Sequence, residues 1–202
     1  MPTARELAKI QRRKELLAAA ARIMAVRGFH QTRLSDVGAE VGISGPGVLR
    51  HFASKDELLE MLLVDISIRL VDGARAAMAE HAESGSTDPE DLMRALVTRH
   101  VEFASNEPDI IRVQGREIHN LEPEALTKVR SLQLTYLRLW TDVLLECRPD
   151  LGRATARLRV QLAAGLINSV RYVIHWAGED LVREQAYLMA VDALLSGGIR
   201  KG

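Results

Sequence analysis

Apolar residues recur at helical spacing along almost the whole chain, and this periodicity constrains the fold more than any other feature. Near the N-terminus, one face of a helix would carry Ile10, Leu17, Ala21 and Met24. No region alternates apolar and polar residues between Asn-Gly or Asp-Gly turns, as a series of β-strands would. The sequence therefore predicts an all-α protein.

Three helices are predicted within residues 1–53. The first ends at Gly28, and the second runs from Thr32, a candidate N-cap, to Gly42. Ser44 can cap the third helix, and Pro46 then lies in the first turn, where its missing N–H costs no hydrogen bond. We assign these residues to one N-terminal domain.

Residues 54–202 are predicted to form a second domain of six helices. Ser54 and Glu57 fit a capping box that opens a long apolar helix. Turn-forming residues then divide the remainder at 85–89, 106–108, 122–123, 148–150, Gly178 and 197–198.

Charge is divided between the two predicted domains. The 27 Lys and Arg balance the 27 Asp and Glu overall, but residues 1–55 carry 10 basic and 4 acidic side chains, which makes them +6 and the rest −6. A basic N-terminal domain of this kind is typical of proteins that bind a polyanion such as DNA.

Composition also indicates the cellular compartment. A single cysteine, Cys147, leaves no internal disulfide and no cysteine metal cluster. The chain lacks the stretch of about 18 apolar residues that a membrane helix needs, and its N-terminus lacks the apolar centre of a signal peptide. We expect a cytoplasmic protein with no membrane partner.

Residues 42–47 read GISGPG, and so many glycines suit either a phosphate-binding loop or a sharp turn between helices. Phosphate loops need Gly-Lys-Ser/Thr, or G-x-G-x-x-G after a strand, and neither pattern is present. A helix-turn-helix needs small residues where its helices touch, which Gly38 supplies, and a sharp turn, which Gly42 permits. On this pattern alone, an ordinary helical corner remains the alternative.

The surrounding residues carry a family resemblance. Residues 32–59 read TRLSDVGAEVGISGPGVLRHFASKDELL, with a Gly-Ile-Ser turn and a His-Phe-x-Ser-Lys-Asp ending, and Gly28-Phe29 precedes them. Over about residues 10–65 the chain resembles the DNA-binding domain of TetR-family transcriptional regulators. The resemblance implies a homodimer that reads a palindromic double-stranded DNA operator. It also implies a C-terminal domain that dimerises and binds a small-molecule inducer.

The recognition helix would open with Gly45, Pro46 and Gly47, which leave few side chains to hydrogen-bond base edges. We expect readout by close backbone approach, by Pro46 against thymine methyls and by DNA shape, with Arg50 and Arg33 as polar readers. Leu49 stands where most TetR-family members have a tyrosine that touches a phosphate. The resemblance therefore does not supply that contact.

Other residues could meet phosphates near helix N-termini. Thr32, Ser44 and Lys55 offer a hydroxyl, a backbone N–H or an ammonium there, and His51 could add another contact. For Thr32 and Ser44, capping alone is the simpler role. The first helix also carries the basic residues Arg12, Arg13 and Lys14. Two roles for them remain equally open: a face exposed to solvent, or contacts to the DNA backbone.

No catalytic, metal or cofactor site is predicted, so an enzyme is not expected. None of the six histidines pairs with another His or Cys at metal-ligand spacing. Arg116 and His119 would share a helix face, but Glu117 would point elsewhere.

The stretch 153–176 carries a leucine-rich stripe at helical spacing, Leu158, Leu162, Leu166 and Val170, with small residues at 163–165. Small residues permit close approach by another helix. Together with the preceding predicted helix, 132–145, the stretch 153–176 resembles the helix pair that forms the four-helix dimer interface in TetR-type regulators. A core face within one subunit is the alternative.

Ligand pockets are mostly apolar with a few placed polar groups. The candidates in the middle helices are His100, Phe103, Arg112, Arg116, His119, Tyr136, Trp140 and Asn168. Because Arg112 and Arg116 are four residues apart, they could hold a carboxylate or an acyl-CoA phosphate.

The expected function is therefore a ligand-responsive repressor. As the resemblance implies, ligand binding would shift the helix that starts at Ser54, change the separation of the two recognition helices and lower operator affinity. Two alternatives stay open: a helical ligand-binding or scaffold protein with a degenerate DNA module, suggested by Leu49, and an all-helical enzyme.

Overall fold

A computed structural model describes residues 3–197 of the chain, and within that range it contains helices and no strands. The all-α prediction is confirmed. The helices are α1 (Ala4–Arg27), α2 (Leu34–Glu40), α3 (Gly45–Val48), α4 (Lys55–Ser84), α5 (Pro89–Asn106), α6 (Pro108–Glu117), a 3-10 turn (Ile118–Asn120), α7 (Pro123–Cys147), α8 (Arg153–Asn168), α9 (Val170–Ala177) and α10 (Glu179–Leu195). Among these helices, none is both long enough and apolar enough to cross a membrane.

The described residues form two compact units. The first contains residues 3–66 and 109–129, and the second contains 67–108 and 130–197. The long helices α4 and α7 each contribute to both units.

The core of the first unit forms between α1, α2, α3 and the start of α4. Leu16 and Met24 of α1, Val37 of α2, Val48 of α3 and Leu58 of α4 are all fully buried. Each side chain of this size stabilises the fold by about 1.5–3 kcal/mol when removed from water.

The turn between α2 and α3 depends on two glycines. Gly42 has φ 75°, in the left-handed region that a glycine adopts without strain. The Ile43 N–H then donates to the Gly38 carbonyl at 2.9 Å. A Cβ on Gly38 would lie 2.7 Å from the Ile43 carbonyl oxygen and 3.0 Å from a methyl of Val48, so only glycine lets the two helices come this close.

The helix caps partly follow the sequence prediction. Ser44 caps α3, accepting from the Gly47 N–H at 3.2 Å. Ser54 accepts from the Glu57 N–H at 3.0 Å, but the Glu57 carboxylate reaches back to the N–H of Ala53 rather than that of Ser54. The opening of α4 therefore has a variant of the predicted capping box.

Thr32 does not cap α2, and that prediction is wrong. The N-cap position belongs to Arg33, whose side chain makes no capping hydrogen bond. The hydroxyl of Thr32 is buried and donates to the Gly28 carbonyl at 2.7 Å. Gly28 ends α1 with φ 82°, and its carbonyl requires a donor because it is left outside the helix.

In the first unit, the end of α6 is bonded to the end of α1. The Arg116 guanidinium donates to the Met24 carbonyl and lies 2.5 Å from the carboxylate of Glu117. Glu117 is buried and also accepts from the Asn120 side chain at 2.8 Å. Its charge is therefore paired and hydrogen-bonded, as a buried carboxylate requires.

The second unit packs α5, α8 and α10 around a core that includes Met93, Leu96, Ile167 and Leu194. The sequence predicted one helix before Gly178, but the structure divides it at Ser169 into α8 and α9. The Ser169 hydroxyl donates to the Leu166 carbonyl at 2.6 Å. A side chain that bonds to the preceding turn in this way competes with the helix ladder, which explains the break.

Gly38→Ala is expected to destabilise the protein by about 1–3 kcal/mol, since the added methyl overlaps the backbone of the turn. The matched control is Gly73→Ala in α4, where a Cβ would meet nothing within 4 Å and alanine gains up to about 1 kcal/mol of helix propensity. Urea unfolding followed by far-UV circular dichroism measures both. Equal stability of the two variants would contradict the close contact.

Candidate nucleic-acid interface and ligand site

The predicted DNA-contacting residues around α3 are largely at the surface. Arg33, Ser44, Pro46 and Arg50 are exposed, and Gly45 and Gly47 are half-buried. Leu49 is 50% exposed, so the position where a tyrosine was expected faces solvent. The start of α3 thus presents backbone and Pro46 with few intervening side chains, and Arg50 follows within one turn.

Lys55 is held beside the loop that follows α1. Its ammonium donates to the carbonyls of Phe29 at 3.0 Å and His30 at 3.3 Å, and lies 4.4 Å from the centre of the Phe29 ring. Thr32, in the same loop, is buried and bonded to Gly28. Both side chains therefore fix the loop between α1 and α2.

His51 is half-buried after α3. Burial and, after it, the positive charges of Arg13, Lys9 and Arg12 lower the pKa of its imidazole. The side chain is therefore neutral near pH 7, and it offers a hydrogen-bonding group rather than a charge.

Two arginines of α1 bind the helix-turn-helix directly, a role that the sequence did not reveal. Arg12 donates to the Val41 carbonyl at 2.9 Å, at the end of α2. Arg13 donates to the His51 carbonyl, and its guanidinium carbon lies 4.5 Å from the centre of the Phe52 ring. Of this predicted basic group, Lys14 alone is exposed.

In the second unit, the structure brings together four of the predicted ligand-contacting residues. His100 of α5 forms hydrogen bonds with the Tyr136 hydroxyl through Nδ1, at 2.6 Å, and with Asn168 Oδ1 through Nε2, at 3.0 Å. The Trp140 ring packs edge-on against His100, with 5.8 Å between ring centres. His100, Tyr136 and Trp140 are buried.

Burial sets the protonation state of this group. It lowers the pKa of His100 and raises that of Tyr136, so the imidazole is neutral and the phenol keeps its proton. A neutral imidazole has one donor and one acceptor. The consistent arrangement has the Tyr136 O–H donating to Nδ1, and the Nε2–H donating to Asn168 Oδ1.

A cleft of about 420 Å³ opens beside this network. His100, Tyr136 and Phe103 line it, together with Arg69 and Gly73 of α4. The Arg69 guanidinium carbon lies 5.1 Å from the centre of the Phe103 ring, and the guanidinium pairs with Glu107 at 2.9 Å. The volume is in the range of small-molecule sites.

The other three predicted ligand-contacting residues, Arg112, Arg116 and His119, lie in the first unit. Arg112 is 4.0 Å from Asp109, and Arg116 bonds to Met24 and Glu117. Arg112 and Arg116 therefore each have a carboxylate within 4.0 Å.

Among the described residues, no group of three or more His, Cys, Asp or Glu is placed to hold a metal ion. Burial raises the pKa of Cys147 to about 11, so its sulfur is a thiol near pH 7 and a poor nucleophile.

His100 should make stability depend on pH. Its pKa in the folded state lies below its ordinary value of about 6.5, so the unfolded chain binds more protons there and stability is lost as pH falls from about 7 to 5. His100→Gln should flatten this dependence, whereas Gln at the exposed His175 should leave it as in the wild type. Urea midpoints at pH 7.5 and 5.0 test this; identical slopes for the His100 variant and the wild type would refute it.

Two family models match the chain. Residues 16–62, which include α2 and α3, match the model of bacterial regulatory proteins of the tetR family. Residues 86–180 match the tetracyclin repressor-like C-terminal domain, and this range includes His100, Tyr136 and Asn168.

Curated relatives cover most of the chain. The HTH-type transcriptional activator FasR of Mycolicibacterium smegmatis is 27% identical over 86% of this chain and 76% of its own length. The HTH-type transcriptional repressor KstR2 of Rhodococcus jostii is 26% identical over 93% of each. Both are transcriptional regulators and not enzymes.

Solved structures share the fold. A TetR-family regulator from Bordetella parapertussis superposes with a TM-score of 0.78 at 21% identity, covering 92% of this chain and 95% of that one. AibR, solved with isovaleryl coenzyme A and operator DNA, gives 0.71 at 16% identity, covering 91% and 98%. FadR of Bacillus subtilis, solved with stearoyl-CoA, gives 0.68 at 14%, covering 89% and 98%. These likenesses show the fold. The two family models, which match the helix-turn-helix and most of the C-terminal domain, show that the chain belongs to the TetR family of DNA-binding transcriptional regulators.

Proposed function

We propose that this protein is a ligand-responsive repressor that binds a palindromic operator as a homodimer and is released from it by a small molecule. The main supporting observation is that α4 is one continuous helix from Lys55 to Ser84. Its first residues follow the helix-turn-helix, and its later residues, Arg69 and Gly73, line the cleft of the second unit. As bacterial DNA is cytoplasmic, the protein would act there.

DNA reading is assigned to α3 and the residues around it. Pro46 and Arg50 are exposed, and Gly45 and Gly47 have no side chains to keep the backbone away from base edges. Arginine is the side chain that most often reads guanine in the major groove. Arg12, Arg13 and Lys55 support this surface by fixing the adjoining carbonyls.

Dimerisation is assigned to the exposed apolar side chains of the last three helices. Six large apolar residues there are between 49% and 70% exposed: Leu158, Leu162, Trp176, Leu181, Leu188 and Met189. Large apolar side chains exposed in this number are typical of protein interfaces, and three of them, Trp176, Leu181 and Met189, line one surface cavity. Leu158 and Leu162 belong to the stripe predicted from the sequence, whereas Val170 of that stripe and the small residues Ala163 and Ala164 are buried within the subunit.

Ligand response is assigned to the cleft. A molecule there would touch α4, whose start packs into the core of the first unit through Leu58 and Leu59. A shift of α4 would change the separation of two recognition helices, which must match major-groove half-sites about 34–36 Å apart. His100 also bonds Asn168, the last residue of α8 before its break. The cleft is thus connected to the helices assigned to dimerisation.

Repression is proposed rather than activation for two reasons. The mechanism above removes the protein from DNA when ligand binds, and KstR2, which matches over 93% of the chain, is a repressor, whereas FasR, which matches over 86%, is an activator. If the DNA module is degenerate, as Leu49 would suggest, the protein is instead a helical ligand-binding or scaffold protein.

The test is selection of genomic fragments from the source organism by the purified dimer, followed by sequencing. A shared palindrome whose occupancy represses the adjoining promoter is the expected result. No enrichment from the apo protein would favour the degenerate module, and promoter activation by the bound protein would overturn repression.

Arg50→Ala is expected to weaken operator binding by about 1–3 kcal/mol and to relax the preference at one base pair of each half-site. The matched control is Arg130→Ala, which removes an exposed arginine from α7 in the second unit. Fluorescence anisotropy with single-base operator variants gives the readout. An equal loss on operator and on unrelated DNA would make Arg50 a phosphate contact instead.

Leu162→Glu is expected to shift the dimer toward monomer, because a carboxylate would be buried in an apolar interface. Leu162 is 65% exposed in the subunit, so the fold itself should tolerate the change. Val26→Glu, at a side chain 76% exposed in the first unit, is the control and should remain dimeric. Sedimentation equilibrium distinguishes the two; a dimeric Leu162→Glu protein would place the interface elsewhere.

A further inference from the structure

The charged side chains that line the cleft point to a particular class of ligand. Three carboxylates and two guanidinium groups line it: Asp72, Glu102, Glu107, Arg69 and Arg99. His100 also lines it, and burial keeps that imidazole neutral. The cleft therefore has one more negative than positive group.

Both guanidinium groups are already paired with carboxylates of the protein. Arg69 donates to Glu107 through two nitrogens, one to each carboxylate oxygen, which is the strong bidentate geometry of an arginine–carboxylate pair. Arg99 donates to both oxygens of Glu80 at 2.5 Å. An anionic ligand would have to compete with these carboxylates and would also meet Glu102 and Asp72.

The inner part of the cleft is aromatic and weakly polar. His100 and Tyr136 use their facing hydrogen-bonding atoms on each other, and Phe103 adds an apolar surface. Tyr136, held protonated by burial, keeps a lone pair on its oxygen after donating to His100. These groups favour a flat apolar body with one neutral polar substituent.

We propose that the ligand of this cleft is a compact uncharged molecule with an aromatic or alicyclic body, and not a coenzyme A thioester or a free carboxylate. The inference rests on the proposed ligand response and names its ligand class. It separates this chain from AibR and FadR, whose structures contain isovaleryl coenzyme A and stearoyl-CoA. The reason is electrostatic, since a polyanion would enter a cleft whose cations are paired and whose net charge is negative.

The test compares matched probes by equilibrium dialysis against the full-length dimer: 2-naphthamide, 2-naphthoate and isovaleryl coenzyme A. We expect the amide to bind at least about tenfold more tightly than the carboxylate, because burying a carboxylate without a free cation is costly. We expect no saturable binding of the thioester.

Substitutions at Gly73 test whether the probes bind in this cleft. Gly73 lines the cleft, and a Cβ there would meet nothing within 4 Å, so Gly73→Phe starts from an unobstructed position and can place its ring in the cleft. Gly73→Phe should abolish amide binding, and Gly73→Ala, the matched control, should keep it. Glu102→Lys adds a free cation and should raise affinity for 2-naphthoate.

The proposal is overturned if 2-naphthoate or isovaleryl coenzyme A binds as tightly as 2-naphthamide and Gly73→Phe abolishes that binding, which would place the anion in the cleft. It is also overturned if no probe binds at its solubility limit, or if Gly73→Phe leaves amide binding unchanged. If isovaleryl coenzyme A releases the protein from its selected operator, the proposed ligand class is rejected. The same result would support the proposed function as a ligand-responsive repressor. Operator binding that no probe alters would count against the ligand response itself.

Discussion

The close contact between α2 and α3 at Gly38 is the constraint on which the DNA-reading half depends. The neighbouring carbonyl of Ile43 occupies the space that a side chain at position 38 would need. Gly42 supplies the backbone conformation that turns the chain within a few residues. Arg12 and Arg13 then donate to the carbonyls of Val41, before this turn, and of His51, after α3. A short α3 of four residues is fixed in position by these contacts and not by its own length.

The second unit uses buried polar groups in a comparable way. His100 is removed from water and would be costly without partners, but Tyr136 and Asn168 satisfy both ring nitrogens. The same network forms one wall of the cleft and ends at the break between α8 and α9. A ligand in the cleft would contact α4, and by disturbing this network it would act on α5, α7 and α8 together, which is the physical basis for the proposed response.

Local features were predictable from the sequence, and tertiary partners were not. The Ser44 cap and the turn at Gly42 involve residues within four positions of each other, and both were predicted. Thr32 does not cap α2, although its residue type suits a cap, because its hydroxyl donates to the nearby Gly28 carbonyl.

Arg12 and Arg116 donate to carbonyls 29 and 92 residues away, so no spacing in the sequence indicates these partners. Residue type alone indicates His100, Tyr136 and Asn168 as ligand candidates, but the hydrogen bonds of His100 to the other two follow only from the packing of α5, α7 and α8.

In the proposed function, two copies of this helix-turn-helix read one operator together. Hydroxyl-radical footprinting on a selected fragment measures this most directly. Two protected regions are expected on one face of the duplex, about one helical turn apart or a multiple of it, and both should be lost together in the Leu162→Glu protein. A single protected region, or uniform protection without defined edges, would contradict it.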